Sequence, residues 1–281
     1  MKKIFKAFGM FIKYARFFWK QRKDIKNWLP LTVHSWVLLL LHYSRISRLD
    51  DKQLVLKMSR GFCICVRPDT MAIIDTFGRY CGLMGMKDWK GKTVVDIGAH
   101  VGSFAVYAAA EGARVFAFEP DPLNVRCLLK SRELNGFQRH LQAYPAAVAA
   151  SSGKVDFFQG GHSTVGTIVD EEFFKKRRNP KEKPMAVDAV GINELFAAAG
   201  IDGCDVLKLD CEGSEYAIIK AADAGTLNGI KAIILEGHPS SHEGQDFSFI
   251  KDKLTAQGFS LVNYQDVGHG CCEAYFAKEK A

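Results

Sequence analysis

Acidic residues stand at the ends of several short apolar runs, and glycines follow two of them. Val94 and Val95 lead into Asp96, as in a buried parallel strand, and the turn Gly98-Ala99-His100-Val101-Gly102 comes next. Residues 104–110 then suit a helix whose free N-terminal amides face that turn. A second apolar run, 114–118, ends at Glu119 and Pro120. An acid at that place can accept both hydroxyls of a ribose. The glycines allow backbone to come close to a ligand. The dinucleotide fingerprint G-x-G-x-x-G is missing, and a carboxylate at Asp96 would repel a pyrophosphate. Asp96 suits a ligand with a positive end. S-adenosylmethionine has an ammonium group, a sulfonium and a ribose, so Asp96 and Glu119 match its two ends. Ala147, beyond a third strand at 141–144, is small enough to leave room for a flat adenine ring.

The second half repeats the pattern. Residues 205–209 form an apolar run ending at Asp210, with Glu212, Gly213 and Glu215 just after it. Residues 230–235 end at Glu236, followed by Gly237, His238 and Pro239. Strands alternating with helices predict a doubly wound, mostly parallel α/β sheet, and the last two runs, 259–264 and 271–277, predict a closing antiparallel hairpin. The spacing also predicts one or two strands around Gly61 within 54–66, a helix over 71–80, and a helix opening at Pro120 and closing at Asn135-Gly136. Residues 159–185, rich in Gly, Lys, Arg and Pro, read as a loop that covers or selects substrate.

Of the 281 residues, 48% are hydrophobic and 25% charged, ordinary for a globular protein. The formal charge of +7 is unevenly placed: residues 1–60 hold 14 Lys+Arg against 3 Asp+Glu. The remainder is therefore acidic, which argues against a nucleic-acid partner. Two segments follow from this: a basic, amphipathic and apolar helical extension over 1–53, and a catalytic domain over 54–281. Within 2–20, Phe5, Phe8, Phe11, Phe18 and Trp19 share a face opposite Lys2, Lys6, Lys13, Arg16 and Lys20. That pattern suits an anionic membrane surface, and equally a helix packed on the domain or on a partner subunit. The apolar run 29–41 is shorter than the roughly 20 residues of a bilayer span. The expected location is the cytoplasm, with peripheral attachment to the inner face of the membrane. Eight cysteines without paired CxxC spacing read as reduced, mostly buried thiols.

These motifs resemble the FkbM family of S-adenosylmethionine-dependent methyltransferases. The residues that carry the resemblance are Val-Val-Asp-Ile-Gly-Ala-His-Val-Gly (94–102), Phe-Glu-Pro-Asp-Pro (118–122) and Leu-Lys-Leu-Asp-Cys-Glu-Gly-Ser-Glu-Tyr (207–216), with Leu-Glu-Gly-His (235–238) beside them. The resemblance spans roughly 54–277. It implies the Rossmann-like seven-stranded methyltransferase fold with an antiparallel last strand, and O-methylation, often of sugar hydroxyls. His100 stands where the family commonly has Asn, and Pro145 stands where Asn is common before the Ala-Ala pair.

Methyl transfer from a sulfonium is an in-line displacement in which the protein supplies alignment, and a hydroxyl acceptor must also lose its proton. Asp210 and His238 are the candidate bases. Asp96, Gly98, Ala99, His100, Gly102, Glu119, Pro120, Ala147 and Asp210 are assigned to the cofactor, and Glu212, Glu215 and Glu236 to the substrate, with ordering of the turn as the other role open to Glu212 and Glu215. The expected acceptor is a hydroxyl of a sugar, glycan or glycolipid. A metal could be held by His238, His242 and Glu236, but Pro239 breaks the helix that would align the two histidines, so no metal is assigned. A membrane-peripheral binding protein with a vestigial methyltransferase fold is the competing class, and protein, nucleic-acid or small-molecule acceptors are alternatives within the enzyme class.

Overall fold

A computed structural model describes residues 12, 15–16, 19–20, 22–33, 53–67, 76–159, 166–168, 184–239 and 246–278. Its strands are β1 (Leu54–Lys57), β2 (Cys63–Val66), β3 (Thr93–Ile97), β4 (Arg114–Phe118), β5 (Leu141–Tyr144), β6 (Ala147–Ala149), β7 (Gly153–Gln159), β8 (Gly166–Thr167), β9 (Met185–Gly191), β10 (Cys204–Leu209), β11 (Ile230–Gly237), β12 (Phe259–Gly268) and β13 (Cys271–Lys278). The helices that matter for the site are α1 (Thr76–Met84), α2 (Ser103–Ala110), α3 (Pro122–Asn135), α4 (Glu215–Ala221) and α5 (Phe247–Ala256).

Seven strands form one sheet in the order β12-β13-β11-β10-β3-β4-β5. β11, β10, β3, β4 and β5 are parallel, and β13 joins them antiparallel. This is the Rossmann-like methyltransferase sheet with its closing hairpin. The chain runs outward from β3 through β4 to β5, then returns to β10 on the other side. The β3–β10 boundary is therefore a topological switch point, and in open α/β sheets ligands bind beyond the carboxyl ends of the strands at that point. β6, β7, β8 and β9 make a second, four-stranded sheet.

The central strands obey a period of two, because successive side chains point to opposite faces. Val94, Val115, Ala117, Val206 and Ile234 pack on one face, with α2, Tyr80, β1, β2 and Ile25. Val95, Ile97, Phe116, Phe118, Leu207, Leu209, Ile233 and Leu235 pack on the other, with Tyr216, Ile218, Ile219, Ile250 and Leu254 of α4 and α5. α2 explains its own position: its residues Phe104, Ala105, Val106, Ala108 and Ala109 are all buried, as suits a central helix covered on both sides.

Several expectations shift at their edges. The run 54–66 is two antiparallel strands. The helix read over 71–80 lies at Thr76–Met84, with 71–75 outside the described residues. α3 opens at Pro122 rather than Pro120, because the Asp121 side chain accepts from the Leu123 amide and so caps it. It closes on Gly136 in the left-handed conformation, as read. β9 ends at Gly191 and passes into a 3-10 turn at Ile192–Glu194. All eight cysteines are free thiols. Most of the amphipathic stretch 2–20 and the run 34–41 lie outside the described residues; residues 12, 15–16 and 19–20 are helical. Packing crosses the boundary drawn at 53/54. Ile25 is fully buried and bridges Met58, and the Asn27 side chain donates to the Val55 carbonyl and accepts from the Lys57 amide.

Candidate active site

The site is built from four strand ends. The carboxyl ends of β3 and β10 nearly touch: a Cβ on Gly98 would overlap the Asp210 carbonyl oxygen, and Gly98 has a φ of 73°. Only glycine satisfies both conditions. Gly102 has a φ of 88°, and a Cβ there would run into the Leu128 side chain of α3. Both glycines were expected to admit a ligand; packing and backbone angle already require them. The amides of Gly98 and Ala99 both donate to the Phe118 carbonyl, tying the turn to β4.

Two other residues of these loops have positive φ without being glycine: His100 at 55° and Glu212 at 55°. Such backbone costs energy and clusters at functional sites. The two strained residues follow the two strands that flank the switch point, and no local pattern in the sequence marks either one.

Glu119 lies at the end of β4, 5% exposed. One oxygen accepts from the His100 amide at 2.8 Å; the other accepts from the Asp121 amide at 2.9 Å and Asn124 Nδ2 at 3.2 Å. A carboxylate has about four acceptor positions, so one remains for a ribose hydroxyl rather than the two expected. Burial drives the Glu119 carboxyl up to about 7, against the pull of those amides. Pro120 is half-buried behind Glu119, and Ala147 is buried in β6.

Asp96 changes role most. It is fully buried and forms an ion pair at 3.0 Å with Nζ of Lys208, its direct neighbour across the β3–β10 ladder. The cation it faces is therefore internal, and the ammonium of a cofactor is not needed to neutralise it. Lys208 also donates to the Gly98 carbonyl at 2.8 Å and lies 3.7 Å from Asp210. Burial alone would lower this lysine, but Asp96 and Asp210 outweigh it and hold the side chain as ammonium. The sequence did carry a signal for Lys208: a charge inside a strand buried on both faces has to be paired.

Around Asp210 the other acids gather. Its Oδ2 accepts from the Tyr80 hydroxyl at 3.0 Å, and the same hydroxyl is 3.1 Å from Glu236 Oε2. Arg79 bridges Glu236 at 2.8 Å and the buried Glu273 at 2.7 Å. Arg79, Tyr80 and Glu273 were missed, since only tertiary packing brings α1 and β13 here. Burial would raise Asp210, but Lys208, His238 and the Tyr80 hydroxyl pull it below the ordinary aspartate value.

His238 is buried just past β11. Its Nδ1 donates to Glu215 Oε1 at 3.0 Å, and its Nε2 is 3.8 Å from both Glu212 and Glu236. Burial pushes the imidazole down, but Glu215, with Glu212 and Asp210 behind it, carries it well above the ordinary histidine value. Its surroundings thus favour the imidazolium form. Of the two roles open to Glu215, substrate contact and ordering of the turn, the geometry favours the second: it is fully buried, its oxygens accept from the amides of Cys211 and Gly213, and it faces His238. Glu212 and Glu236 remain partly exposed at the rim.

Asp210, Glu215 and His238 offer donor atoms within 4.8 Å of one another, a spacing that a metal ion could use. Here Glu215 is engaged by two amides and Lys208 stands beside Asp210, so side chains already supply the positive charge. His242 of the considered metal set lies outside the described residues. The arrangement suits a methyl-donor site in two respects. Glu119 keeps an acceptor position at the end of β4. The buried hydroxyl of Ser103, in the first turn of α2, also has no hydrogen-bond partner among the described residues.

The profile of the methyltransferase FkbM domain matches residues 96–261, well over half of the chain. Methyltransferase sdnD of Sordaria araneosa is 23% identical over 195 residues, covering 60% of this chain and 74% of that protein. The 2-O-methyltransferase NoeI of Sinorhizobium fredii (strain NBRC 101917 / NGR234) is 25% identical over 166 residues, covering 54% of this chain and 66% of that one. Among solved structures, the chain is similar to magnesium protoporphyrin IX methyltransferase (ChlM) from Synechocystis PCC 6803 with bound SAM, at 13% identity and a TM-score of 0.43 over 74% of this chain and 79% of that one. With its acids at the ends of β4, β10 and β11 and its matched stretch running from Asp96 past Glu119, Asp210 and His238, the chain belongs to the FkbM methyltransferase family, whose members use S-adenosylmethionine.

Proposed function

We propose that this methyltransferase transfers its methyl group to a hydroxyl of an uncharged sugar, glycan or glycolipid. The observation that carries the reading is Asp210: an ionised carboxylate at the mouth of β10, beside the Gly98 turn, with its side chain 23% exposed. S-adenosylmethionine, when bound, supplies the electrophilic methyl group. Glu119, with Pro120 and His100 alongside, would hold the ribose, Ala147 would border the adenine, and Gly98, Ala99 and Gly102 would shape the turn beneath the cofactor. Asp210 then takes the hydroxyl proton as the bond to carbon forms. His238, already protonated, donates to the acceptor oxygen or a neighbouring hydroxyl rather than accepting a proton. Glu212 and Glu236 at the rim accept from further hydroxyls.

Charge supports an uncharged acceptor. Asp96, Asp210, Glu212, Glu215, Glu236 and Glu273 outnumber Lys208, Arg79 and His238, so an anionic acceptor meets repulsion. That the relative NoeI is named a 2-O-methyltransferase fits this choice.

The test is methyl transfer from labelled S-adenosylmethionine to a panel of neutral and acidic glycans, with Asp210→Asn and His238→Gln beside wild type. Neutral acceptors are expected to be methylated. Asp210→Asn should keep cofactor affinity by calorimetry while turnover falls about 10²–10⁴-fold. The pH profile separates the two bases. With Asp210 as acceptor, kcat at saturating cofactor stays level from neutrality down to the ordinary aspartate range. With His238 as acceptor, it would fall below a limb well above the ordinary histidine value. Glu119→Ala should abolish measurable cofactor binding; unchanged affinity would overturn the cofactor placement.

A further inference from the structure

We propose that Tyr80 is a positioning residue of the acceptor site: a buried phenol that links Asp210 to Glu236 and aims the Asp210 carboxylate at the acceptor. The proposal rests on reading Asp210 as the proton acceptor. It also assigns α1, which lies before the matched stretch 96–261, as the element that completes the catalytic centre.

Tyr80 is fully buried, so it touches neither acceptor nor solvent. Its hydroxyl lies 3.0 Å from Asp210 Oδ2 and 3.1 Å from Glu236 Oε2. A phenol has one proton, and two carboxylates compete for it. Arg79, the preceding residue, settles the competition. Its Nη2 donates to the same Glu236 oxygen at 2.8 Å, so Glu236 has a cationic donor of its own and the phenol proton goes to Asp210. The ring cannot swing away. It packs edge-on against Phe104 of α2 at 6.0 Å, Phe104 packs edge-on against Trp89, and the far end of α1 is held by Asn263 Nδ2 donating to the Leu83 carbonyl. Burial and the two facing carboxylates keep the phenol protonated.

Every element around Asp210 brings a charged or titratable group to it. Lys208, with Asp96 behind it, comes from the β3–β10 ladder. Cys211, Glu212 and Glu215 come from the following loop and α4. Glu236 and His238 come from β11 and its end, and Glu273 of β13 lies behind Arg79. Among these, Tyr80 supplies a neutral donor fixed in direction. Removing its hydroxyl leaves Asp210 less stabilised as a carboxylate and free to rotate toward Lys208.

The experiment is Tyr80→Phe in the full chain, which keeps the ring and its packing. The pH profiles of kcat and kcat/KM, the KM for acceptor and the calorimetric affinity for S-adenosylmethionine are measured beside wild type. Cofactor affinity is expected to stay within twofold. The plateau kcat should fall by about tenfold, and the acid limb should move upward, so that the variant loses activity at pH values where wild type is still level. If Tyr80→Phe does not fold, Arg79→Gln reads the same limb. Freed from its arginine, Glu236 competes for the phenol proton, and the limb moves in the same direction. A limb and plateau unchanged by Tyr80→Phe, or by Arg79→Gln in its place, overturn the proposal and leave Tyr80 as a core aromatic. An Asp210→Asn variant with full turnover overturns the reading of Asp210 instead, and this proposal with it.

Discussion

His100 sits at a φ of 55° between two glycines with positive φ, and its amide holds one oxygen of Glu119. Asn, Asp and His are the side chains that enter the left-handed region most readily. The departure from the Asn common in the family therefore keeps the backbone conformation, and with it the hydrogen bond to Glu119. His100→Asn is expected to leave cofactor affinity and melting temperature near wild type, whereas His100→Val should lower stability by about 1–2 kcal/mol, read by denaturant unfolding. Glu119 itself makes stability depend on pH. Its folded value of about 7 lies above the unfolded 4.5, so the folded protein holds the proton more tightly across that window. The stability this provides is full below about 4.5 and is lost as pH rises through about 7, by about 3 kcal/mol in all. Glu119→Gln removes that slope. Its melting temperature should gain on wild type steadily as the pH is raised across the window, and a constant difference would contradict the raised value.

The two loops that follow β3 and β10 work as one element because they meet. Gly98 faces the Asp210 carbonyl, Lys208 donates to the Gly98 carbonyl, and Glu215 braces the amides of Cys211 and Gly213. Moving one loop moves the other, so cofactor side and acceptor side are mechanically joined at the switch point. Gly98→Ala should therefore be severe, with loss of both cofactor binding and at least about 3 kcal/mol of stability. Gly136, at the end of α3, also has positive φ, but nothing lies within 4 Å of an added Cβ. Gly136→Ala should cost only the backbone term, about 1 kcal/mol, with methyl transfer unchanged. Comparing the two by thermal melts separates backbone angle from close approach.

At the scale of the molecule, charge is unevenly distributed. The site is acidic, while the first 60 residues carry a surplus of basic side chains. Trp19, Leu29 and Val33 are each more than half exposed, near Arg16, Lys20, Arg22, Lys23 and Lys26. No helix among the described residues is long and apolar enough to cross a membrane. We propose that the basic stretch before residue 21 is an arm that lays this chain on an anionic membrane surface, while residues 22–33 pack on the catalytic domain. The structure dictates where to cut. Ile25 is buried against β1, so a deletion reaching residue 26 would damage the core, whereas removing 1–20 spares it. Full-length protein is expected to pellet with anionic liposomes and the 1–20 deletion to stay in the supernatant, with both retaining methyl transfer to a soluble acceptor. Equal pelleting would rule the arm out as an anchor.

The alternation of strands and helices, the glycine turn and the acids at the strand ends were legible in the sequence. Each depends on a local rule: period-two apolar runs, glycine at forced backbone angles, and ionisable groups placed where a parallel sheet opens. Those rules act between neighbours in the chain, so Asp96, Glu119, Asp210 and His238 could be picked out before their surroundings were known. Their roles could not, because a role depends on what faces a side chain across the fold. Lys208 pairs with Asp96 inside the sheet, and Glu215 faces His238 and favours its charged form. Tyr80 reaches Asp210 across 130 positions of sequence. Contacts of that span carry no periodic trace, and only the closing of the sheet and the docking of α1 against it decide them.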